Sequence, residues 1–367
     1  MGVQAGLVGL PNVGKSTLFN ALTKSRAPAE NYPFCTIEPH VAITNVPDRR
    51  LDKLAQIYGS QKIIPANATF VDIAGLVKGA ASGEGLGNQF LAHIREVHLI
   101  LHVLRCFEDP NITHTGDTID PLEDYAIIVE ELMLKDLDAV NKRLEKIPKQ
   151  LRGARDAADR RKLEEEAALL QKIAAALDAG ELEKTQALAA SAPHIDTHLL
   201  CAKESLIIAN MAEDEIGSYA NNPHYQKLVE RFGADRVIPV SAKIEHELSQ
   251  LSDEEAQEIM GMLGMTERGV DRIIRTTYQH LGLITFFTCG PKEAHAWPIK
   301  AGTTIKKAAG EIHSDLERGF ICAEVFNCAE LFVVGSPTKL KETGKVRTEA
   351  HDYIVQDCDI INVRFNV

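Results

Sequence analysis

The sequence predicts an α/β fold that is interrupted by a helical arm and followed by a smaller α+β domain. Residues 1–110 alternate short apolar runs with helical patterns, and residues 198–243 return to the same alternation. Between them, residues 121–191 are rich in Leu, Ala, Glu, Lys and Arg, with apolar side chains at helical spacing. Short strand patterns follow from residue 284 onwards. These observations indicate two domains that contain sheets and an inserted pair of helices.

The composition is typical of a globular protein in a reducing compartment. The chain of 367 residues exceeds one typical domain, and it contains no apolar run near the ~20 residues that span a bilayer. Its seven cysteines form no C-x-x-C pair, which argues against structural zinc and disulfides. The net charge of −12 argues against binding of nucleic acid over the whole surface. We therefore predict a cytoplasmic protein that is not a membrane protein.

Residues 9–16 read G-L-P-N-V-G-K-S and have the spacing of a P-loop. A strand pattern at 5–8 precedes them and a helical pattern at 17–23 follows, which is the order that a phosphate-binding loop requires. Backbone N–H groups of such a loop approach the phosphates, Lys15 neutralises the β and γ oxygens, and the Ser16 hydroxyl binds Mg²⁺. The predicted contacts to the nucleotide are Asn12, Val13, Gly14, Lys15, Ser16 and Thr17.

The metal also needs a carboxylate, and Asp72 is the candidate. Asp72 ends an apolar run at 69–71 and is followed three residues later by Gly75, which gives the D-x-x-G arrangement. We expect Asp72 to hold Mg²⁺ through a water, while the Gly75 N–H points at the γ-phosphate. Thr36 is the candidate switch residue that completes the metal shell. The predicted metal ligands are Ser16, Thr36 and Asp72.

The segment that would read the base departs from the usual GTPase pattern. Residues 210–213 read N-M-A-E after an apolar run, where a GTPase normally shows N-K-x-D. The Asp of that pattern accepts hydrogen bonds from guanine, so the longer Glu213 should misplace the carboxylate. Adenine could instead be bound through backbone carbonyls and an apolar slot formed partly by Met211. The predicted residues of the base side are Asn210, Met211, Glu213, Ser241 and Ala242.

Hydrolysis needs a group that orients the attacking water. The position after Gly75 is Leu76, which has no polar atom to offer. His114 lies in a predicted loop after a strand pattern at 99–104, from which it could reach the γ-phosphate. On this chemistry alone, an ordinary loop histidine is the alternative, and Asn12 could instead help to hold K⁺ as a monovalent cation. The predicted catalytic residues are Lys15, Gly75 and His114.

Residues 121–196 are predicted to form an antiparallel helical arm. Pro148 and Gly153 are expected at its tip, with a second helix over 156–177. Residues 142–162 carry nine Lys or Arg against three Asp or Glu. Such a run is usually a solvated helix face, and a tip that binds RNA phosphates is the alternative.

Residues 283–367 are predicted to form a small α+β domain. A helix is expected over residues 303–316. The strand patterns lie at 284–288, 323–326, 331–334 and 360–365. With the arm set apart, residues 1–120 and 197–282 are predicted to form the nucleotide-binding domain.

With these residues assembled, the chain resembles the Obg-related NTPases and, within them, the YchF or Obg-like ATPase subfamily. The specific marks are residues 9–16 with their Pro-Asn pair, the Y-P-F sequence at 32–34, and the run from 72 to 90. The N-M-A-E sequence at 210–213 is the subfamily's own signature. The resemblance covers nearly the whole chain.

The resemblance implies a G-domain with a coiled-coil insertion and a C-terminal TGS domain of the β-grasp fold. It also implies that ATP is preferred over GTP and that His114 carries the catalytic histidine. Association with the ribosome or ribosomal RNA through the arm and the TGS domain, and a regulatory role in translation or stress response, follow from the same resemblance.

We therefore expect a monomeric, Mg²⁺-dependent ATPase that switches between ATP and ADP states. Two alternatives stay open. The first is a GTPase that acts in ribosome assembly. The second is a ribosome- or RNA-binding module that a nucleotide stabilises without significant turnover.

Overall fold

A computed structural model describes residues 4–24, 40–73, 86–110, 112, 118–154, 156–195 and 197–366. Three of the predicted site residues, Thr36, Gly75 and His114, lie outside these described residues, so their roles stay predictions. Within the described ranges, no helix combines the length and the apolar character needed to cross a membrane.

Strands and α-helices are numbered separately along the chain. The strands are β1 (Gln4–Val8), β2 (Val41–Asn45), β3 (Lys62–Ile64), β4 (Asn67–Asp72), β5 (Leu99–Arg105), β6 (Glu204–Asn210), β7 (Val237–Val240), β8 (Leu283–Cys289), β9 (Glu293–Lys300), β10 (Phe320–Asn327), β11 (Arg347–Glu349) and β12 (Asp359–Phe365). The α-helices are α1 (Lys15–Lys24), α2 (Arg49–Tyr58), α3 (Leu86–Glu96), α4 (Pro121–Arg152), α5 (Ala157–Asp178), α6 (Leu182–Ser191), α7 (Pro223–Phe232), α8 (Ala242–Leu248), α9 (Asp253–Met262), α10 (Gly269–His280), α11 (Ile305–Ile312), α12 (Ser314–Arg318), α13 (Cys328–Val334) and α14 (Pro337–Glu342). A 3-10 helix at Ile216–Asn221 lies between β6 and α7.

Local sequence signals explain where several helices begin and end. α2 begins after Asp48, whose carboxylate accepts a hydrogen bond from the Arg50 N–H. It ends at Gly59, which has the left-handed backbone that favours glycine. α4 begins after Asp120, which accepts a hydrogen bond from the Leu122 N–H. These side chains pair backbone donors that a helix leaves free in its first turn.

Among the described residues, the first sheet has six strands in the order β2-β4-β1-β5-β6-β7. β2 pairs antiparallel with β4, and the remaining neighbours pair parallel. Every residue of β5 is buried, as expected for a parallel strand that is covered on both faces. The predicted α/β architecture is confirmed.

α4 and α5 form the predicted helical arm. Arg143 of α4 donates two hydrogen bonds to the carboxylate of Glu166 on α5, at 2.6 and 2.7 Å. Pro148 does not mark the tip, contrary to the prediction, because it lies inside α4 and the helix continues to Arg152. The connection therefore begins at Gly153. Apolar side chains of both helices join the core of the first sheet: Ile128, Leu132, Val140 and Ile147 of α4, and Leu169, Leu170, Ile173 and Leu177 of α5.

The second sheet also has six strands, in the order β11-β10-β12-β8-β9-β3. The predicted strand at residues 331–334 is wrong, since these residues belong to α13. Asn327 accepts a hydrogen bond from the Ala329 N–H and so caps this helix. Leu331 is buried whereas Val333 is 86% exposed. A short apolar run fits a strand or a helix equally well, and packing decided between them.

β3 precedes β4 in the chain but belongs to the second sheet. Residues 62–64 of β3 pair parallel with residues 293–295 of β9. The Ser60 hydroxyl also donates to the Gly290 carbonyl at 2.8 Å. Residues 62–64 were predicted to belong to the nucleotide-binding domain, yet their backbone pairs with a strand of the second sheet. The predicted domain boundaries therefore do not coincide with the boundaries of the two sheets.

Candidate functional site

The candidate site lies at the carboxyl edge of the first sheet. Residues 9–14 follow β1, Asp72 ends β4, Asn210 ends β6, and Ser241 follows β7. Carboxyl ends of parallel strands meet at one edge, where ligands of open α/β sheets bind. The fold thus brings together the described residues that were predicted to contact phosphate, metal and base.

The backbone of the predicted phosphate loop takes conformations that few residues tolerate. Asn12 and Gly14 have φ angles of +64° and +92°, in the region that glycine favours and asparagine visits. α1 begins at Lys15, and the Gly14 carbonyl accepts a hydrogen bond from the Leu18 N–H at 3.0 Å. The start of α1 therefore presents the positive end of its dipole where phosphates are expected.

The Asn210 side chain links the predicted phosphate loop to the loop that follows β7 through two hydrogen bonds. Its Nδ2 donates to the Val13 carbonyl at 2.8 Å, and its Oδ1 accepts from the Ala242 N–H at 2.9 Å. A Cβ atom added at Gly14 would lie 2.2 Å from Asn210 Nδ2, so a larger residue would push the amide away. Asn210 is 3% exposed. It therefore holds two loops in register from a buried position.

Lys15 and Asp72 form an ion pair across the site. Lys15 is 8% exposed, and the side chain of Asp72 is 15% exposed. The two residues belong to α1 and β4, and their approach is set by the parallel pairing that places Leu7 opposite Asp72. The main cation and the main anion of the predicted site are therefore in contact.

The oxygen donors at this edge suit Mg²⁺. Asp72 offers a carboxylate and Ser16 an exposed hydroxyl, and Mg²⁺ takes oxygen ligands. In the part of the chain that the structure describes, no three His, Cys, Asp or Glu side chains are grouped around a common metal position. Where Mg²⁺ accompanies a nucleotide, one or two carboxylates and the phosphate oxygens usually hold it, so a single carboxylate at this edge suits such an ion.

The base side of the site carries an exposed ion pair. Lys243 Nζ donates to a Glu213 carboxylate oxygen at 2.6 Å, with side chains 66% and 43% exposed. The hydrogen bond and the charge of Glu213 raise the pKa of Lys243. Lys243 was not among the predicted site residues. Its place directly after Ser241 and Ala242 was the signal that could have indicated it.

Met211 does not line an open slot, contrary to the prediction. Its side chain is 2% exposed and packs in an apolar cluster that includes Leu104 and Ile244. Burial of its apolar surface in this core explains the placement. Ser241 is also 2% exposed, and its hydroxyl oxygen has no hydrogen-bond partner among the described residues. The predicted contact of Ser241 with the base therefore stays a prediction.

Arg105 is a buried residue that the sequence reasoning missed. It ends β5, is 1% exposed, and lies over the Phe107 ring at 4.6 Å from the centroid. Its guanidinium donates to the carbonyls of Phe107, Asp109 and Ile112 at 3.1 to 3.2 Å. These bonds fix the start of the segment that leads to His114. The signal was a basic residue at the end of an apolar strand pattern.

Comparisons with known proteins complete the description of the site. The family model MMR_HSR1, described as a 50S ribosome-binding GTPase, matches residues 4–142, and YchF-GTPase_C, described as a protein of unknown function, matches residues 283–366. Proteins named Ribosome-binding ATPase YchF from Bacillus subtilis and Escherichia coli O157:H7 are each 44% identical, with 100% of both chains covered. The solved structure of the Schizosaccharomyces pombe YchF GTPase is 35% identical, covers 99% of this chain and 97% of its own, and superposes with a TM-score of 0.85.

Proposed function

The chain belongs to the YchF family, and from this premise we propose that it is a Mg²⁺-dependent ATPase that hydrolyses ATP to ADP and phosphate. The observation that carries the proposal is the phosphate loop, in which Lys15 meets Asp72 at the start of α1. Asn210 holds this loop against the base side. The relatives named ATPase support the same activity.

ATP binding is proposed to exchange the partners of Lys15 and Asp72. Backbone N–H groups of residues 12–17 hold the phosphates, and Lys15 leaves Asp72 for the β and γ oxygens. The Asp72 carboxylate and the Ser16 hydroxyl, together with Thr36, are then free to hold Mg²⁺. The ion supplies positive charge that stabilises the transferred phosphoryl group.

The residues proposed to direct the attack of water on the γ-phosphate lie outside the described ranges. We propose that the Gly75 N–H contacts the γ-phosphate and that His114 orients the attacking water. Arg105 supports this role for His114, because it holds the carbonyls of Phe107, Asp109 and Ile112 just before it in the chain. Stabilisation by K⁺ held with the help of Asn12 is the competing route.

The exposed pair of Glu213 and Lys243 supports a preference for ATP. Guanine needs a carboxylate that accepts from its N1–H and its amino group. Glu213 is longer than the usual Asp and is turned towards Lys243. Reading guanine would require this ion pair to open, whereas adenine needs no carboxylate at that point.

Titration of nucleotide-free protein with ATP and GTP in the presence of Mg²⁺ tests this preference. We expect a lower dissociation constant for ATP. Equal or tighter binding of GTP would favour the GTPase alternative, and the Schizosaccharomyces pombe relative is itself named a GTPase.

Turnover of ATP with His114→Ala tests the assignment of the catalytic group. We expect a lower rate with an unchanged dissociation constant for ATP. If the variant keeps the wild-type rate, and this rate is higher in K⁺ than in Na⁺, catalysis by K⁺ held with the help of Asn12 replaces the assignment to His114.

We further propose that the chain acts in the cytoplasm as a monomer and contacts the ribosome through the arm and the C-terminal domain. The name of the Bacillus subtilis relative supports ribosome binding, and we propose a regulatory role in translation or stress response for that contact. Cosedimentation with purified ribosomes should differ between the ATP and ADP states. Equal binding in every nucleotide state, with no turnover, would instead identify a module that the nucleotide only stabilises.

A further inference from the structure

Two cysteines of the C-terminal domain lie opposite each other and beside an arginine of α2. We propose that Cys328 and Cys358 form a peroxide-sensitive thiol pair, in which Cys358 is oxidised first and Cys328 resolves it to an intrachain disulfide. None of the residues assigned to ATP hydrolysis takes part. The proposal therefore stands or falls independently of the proposed function.

The pairing of β10 with β12 places the two cysteines in register. These strands are antiparallel, and their last paired residues are Asn327 and Asp359. Cys328 and Cys358 are the next residues on each side, and the Cys328 N–H donates to the Cys358 carbonyl at 2.9 Å. Neither cysteine belongs to a strand, because Cys328 begins α13 and Cys358 precedes β12 with a φ angle of +71°. The 2.9 Å hydrogen bond nevertheless brings their backbones together, and a disulfide needs Cα atoms about 4.4–6.8 Å apart.

Arg50 brings a positive charge to the Cys358 sulfur. Its Nη1 lies 2.7 Å from Cys358 Sγ and 2.6 Å from an Asp357 carboxylate oxygen. Its Nε donates to Asp48 at 2.8 Å. The charged groups around Cys358 are therefore one guanidinium and two carboxylates, with the guanidinium in direct contact with the sulfur.

The two thiols are chemically different. A hydrogen bond from Cys328, and then the charge of Arg50, lower the pKa of Cys358 even though burial and Asp357 oppose them. The same contact with Cys358, and burial, raise the pKa of Cys328, which is 1% exposed. Cys358 is half-buried. A partly exposed thiol of lowered pKa beside a buried thiol is the arrangement of a reactive cysteine with its resolving partner.

Other described cysteines lack this environment. Burial raises the pKa of Cys106, Cys201 and Cys289. Cys322 lies on β10, close in sequence to Cys328, and is also half-buried. It therefore serves as a control cysteine of similar exposure in the same sheet.

The chemistry consumes one hydrogen peroxide for each disulfide. The Cys358 thiolate attacks the O–O bond, which forms a sulfenic acid and releases one oxygen as water after protonation. The Cys328 sulfur then attacks the sulfenyl sulfur, so the S–S bond forms, the S–O bond breaks, and a second water leaves with the thiol proton. The two cysteines lose two electrons together, and an added dithiol returns them.

Oxidation also changes the contact between α2 and the C-terminal sheet. Arg50 belongs to α2, whereas Asp357 and Cys358 precede β12. A disulfide sulfur carries no negative charge, so oxidation removes any Cys358 thiolate as a partner of the guanidinium, which keeps Asp48 and Asp357. We expect faster hydrogen exchange of α2 amides after oxidation of the wild type and no such change in Cys358→Ser.

Peptide mapping after peroxide treatment tests the pair directly. The reduced full-length chain is treated with hydrogen peroxide, blocked with N-ethylmaleimide and digested, and disulfide-linked peptides are quantified by mass spectrometry. The link between Cys328 and Cys358 should be the main product. In Cys328→Ser it should be replaced by a sulfenic acid at Cys358 that dimedone traps, and in Cys358→Ser both products should be lost.

Two control variants keep the test specific. Cys322→Ser should leave the yield of the link unchanged, and so should Cys35→Ser, whose cysteine lies outside the described residues. The proposal is overturned if the link fails to form in the wild type, if Cys35→Ser abolishes it, or if peroxide oxidises Cys322 as fast as Cys358.

The role of Arg50 has its own test. Alkylation of Cys358 by iodoacetamide, followed against pH, should shift to higher pH in Arg50→Gln and return towards the wild type in Arg50→Lys. Circular dichroism checks that both variants are folded. Identical rate profiles in the wild type and Arg50→Gln would show that the guanidinium does not activate this thiol.

Discussion

The nucleotide site combines buried polar residues that shape its loops with an exposed ion pair on the base side. Asn210, which joins the two loops, and Lys15 of the phosphate loop are 3% and 8% exposed. Glu213 and Lys243 on the base side have side chains 43% and 66% exposed. Buried hydrogen bonds cost much to break, because the groups left behind lose both protein and water partners. Exposed ion pairs contribute little to stability.

This difference separates two kinds of residue in one site. The buried groups are expected to control folding and the shape of the loop, and the exposed groups to control which base is accepted. Substitutions of buried and of exposed groups should therefore change different measured quantities. Asn210→Ala and Glu213→Asp test this division within the site, and two further predictions extend it to a buried histidine and to exposed arginines elsewhere in the chain.

The largest effect is expected for Asn210→Ala. The substitution leaves the Val13 carbonyl and the Ala242 N–H buried without their side-chain partner, which should lower the free energy of unfolding by about 2–4 kcal/mol. Affinity for ATP should fall as well. Denaturant unfolding measures the change, with Asn362→Ala at an exposed position of β12 as the control. A loss no larger than in that control would contradict the importance of the buried bridge.

A pH-dependent effect is expected from His102, a buried residue of β5. Burial lowers the pKa of His102 from 6.5 to about 4. Between these values the unfolded chain binds a proton that the folded chain does not, so stability falls as pH falls below 6.5. The loss between pH 7.5 and pH 5 should be about 2 kcal/mol.

Unfolding of His102→Leu at both pH values measures this contribution. The variant should show a smaller difference in stability between them than the wild type. His313→Gln, at an exposed histidine that contacts Asp315, is the control and should keep the wild-type difference. A full wild-type difference in His102→Leu would place the acid sensitivity elsewhere.

A change of base selection without a change of stability is expected for Glu213→Asp. The shorter carboxylate should leave Lys243 and reach guanine, which should raise GTP affinity relative to ATP by roughly tenfold. Titration with both nucleotides measures the ratio, and Glu247→Asp, on the exposed side of α8, is the control. An unchanged ratio would mean that the carboxylate length does not exclude guanine.

The smallest effect on stability is expected at the tip of the arm. Arg160 and Arg161 pair with Glu164 and Glu165 one turn away, at 3.1 and 2.9 Å, on an exposed face. The double variant Arg160→Gln/Arg161→Gln should fold as the wild type does. If the arm binds ribosomal RNA, the slope of log affinity against log salt should fall by about 1–2.

Ribosome cosedimentation over a salt series measures that slope. Lys227→Gln/Arg236→Gln, which removes two exposed charges outside the arm, is the control and should keep the wild-type slope. If the arm variant keeps it too, the basic run is a solvated helix face.

Much of the first domain followed from local sequence. A strand, the loop at residues 9–16 and a helix must follow one another in that order, because the loop depends on glycine and lysine at fixed spacing. Asp72 and residues 210–213 were located in the same way, each at the end of an apolar strand pattern. Local spacing also predicted the arm, although Pro148 was misplaced at its tip. A proline weakens a helix but does not always end it.

The tertiary structure decided the features that depend on contacts between distant residues. No local pattern tells that β3 joins the second sheet or that residues 331–334 are helical, because short apolar runs fit either period and packing chooses between them. Contacts with other segments also decide the burial of Met211, the hydrogen bonds of Arg105 and the approach of Cys328 to Cys358. None of these contacts can be read from local spacing. The sequence by itself determined the spacing from which the nucleotide-binding residues are predicted, and only the fold determined which of the described ones are buried, paired or exposed, because burial and pairing depend on residues distant in the chain.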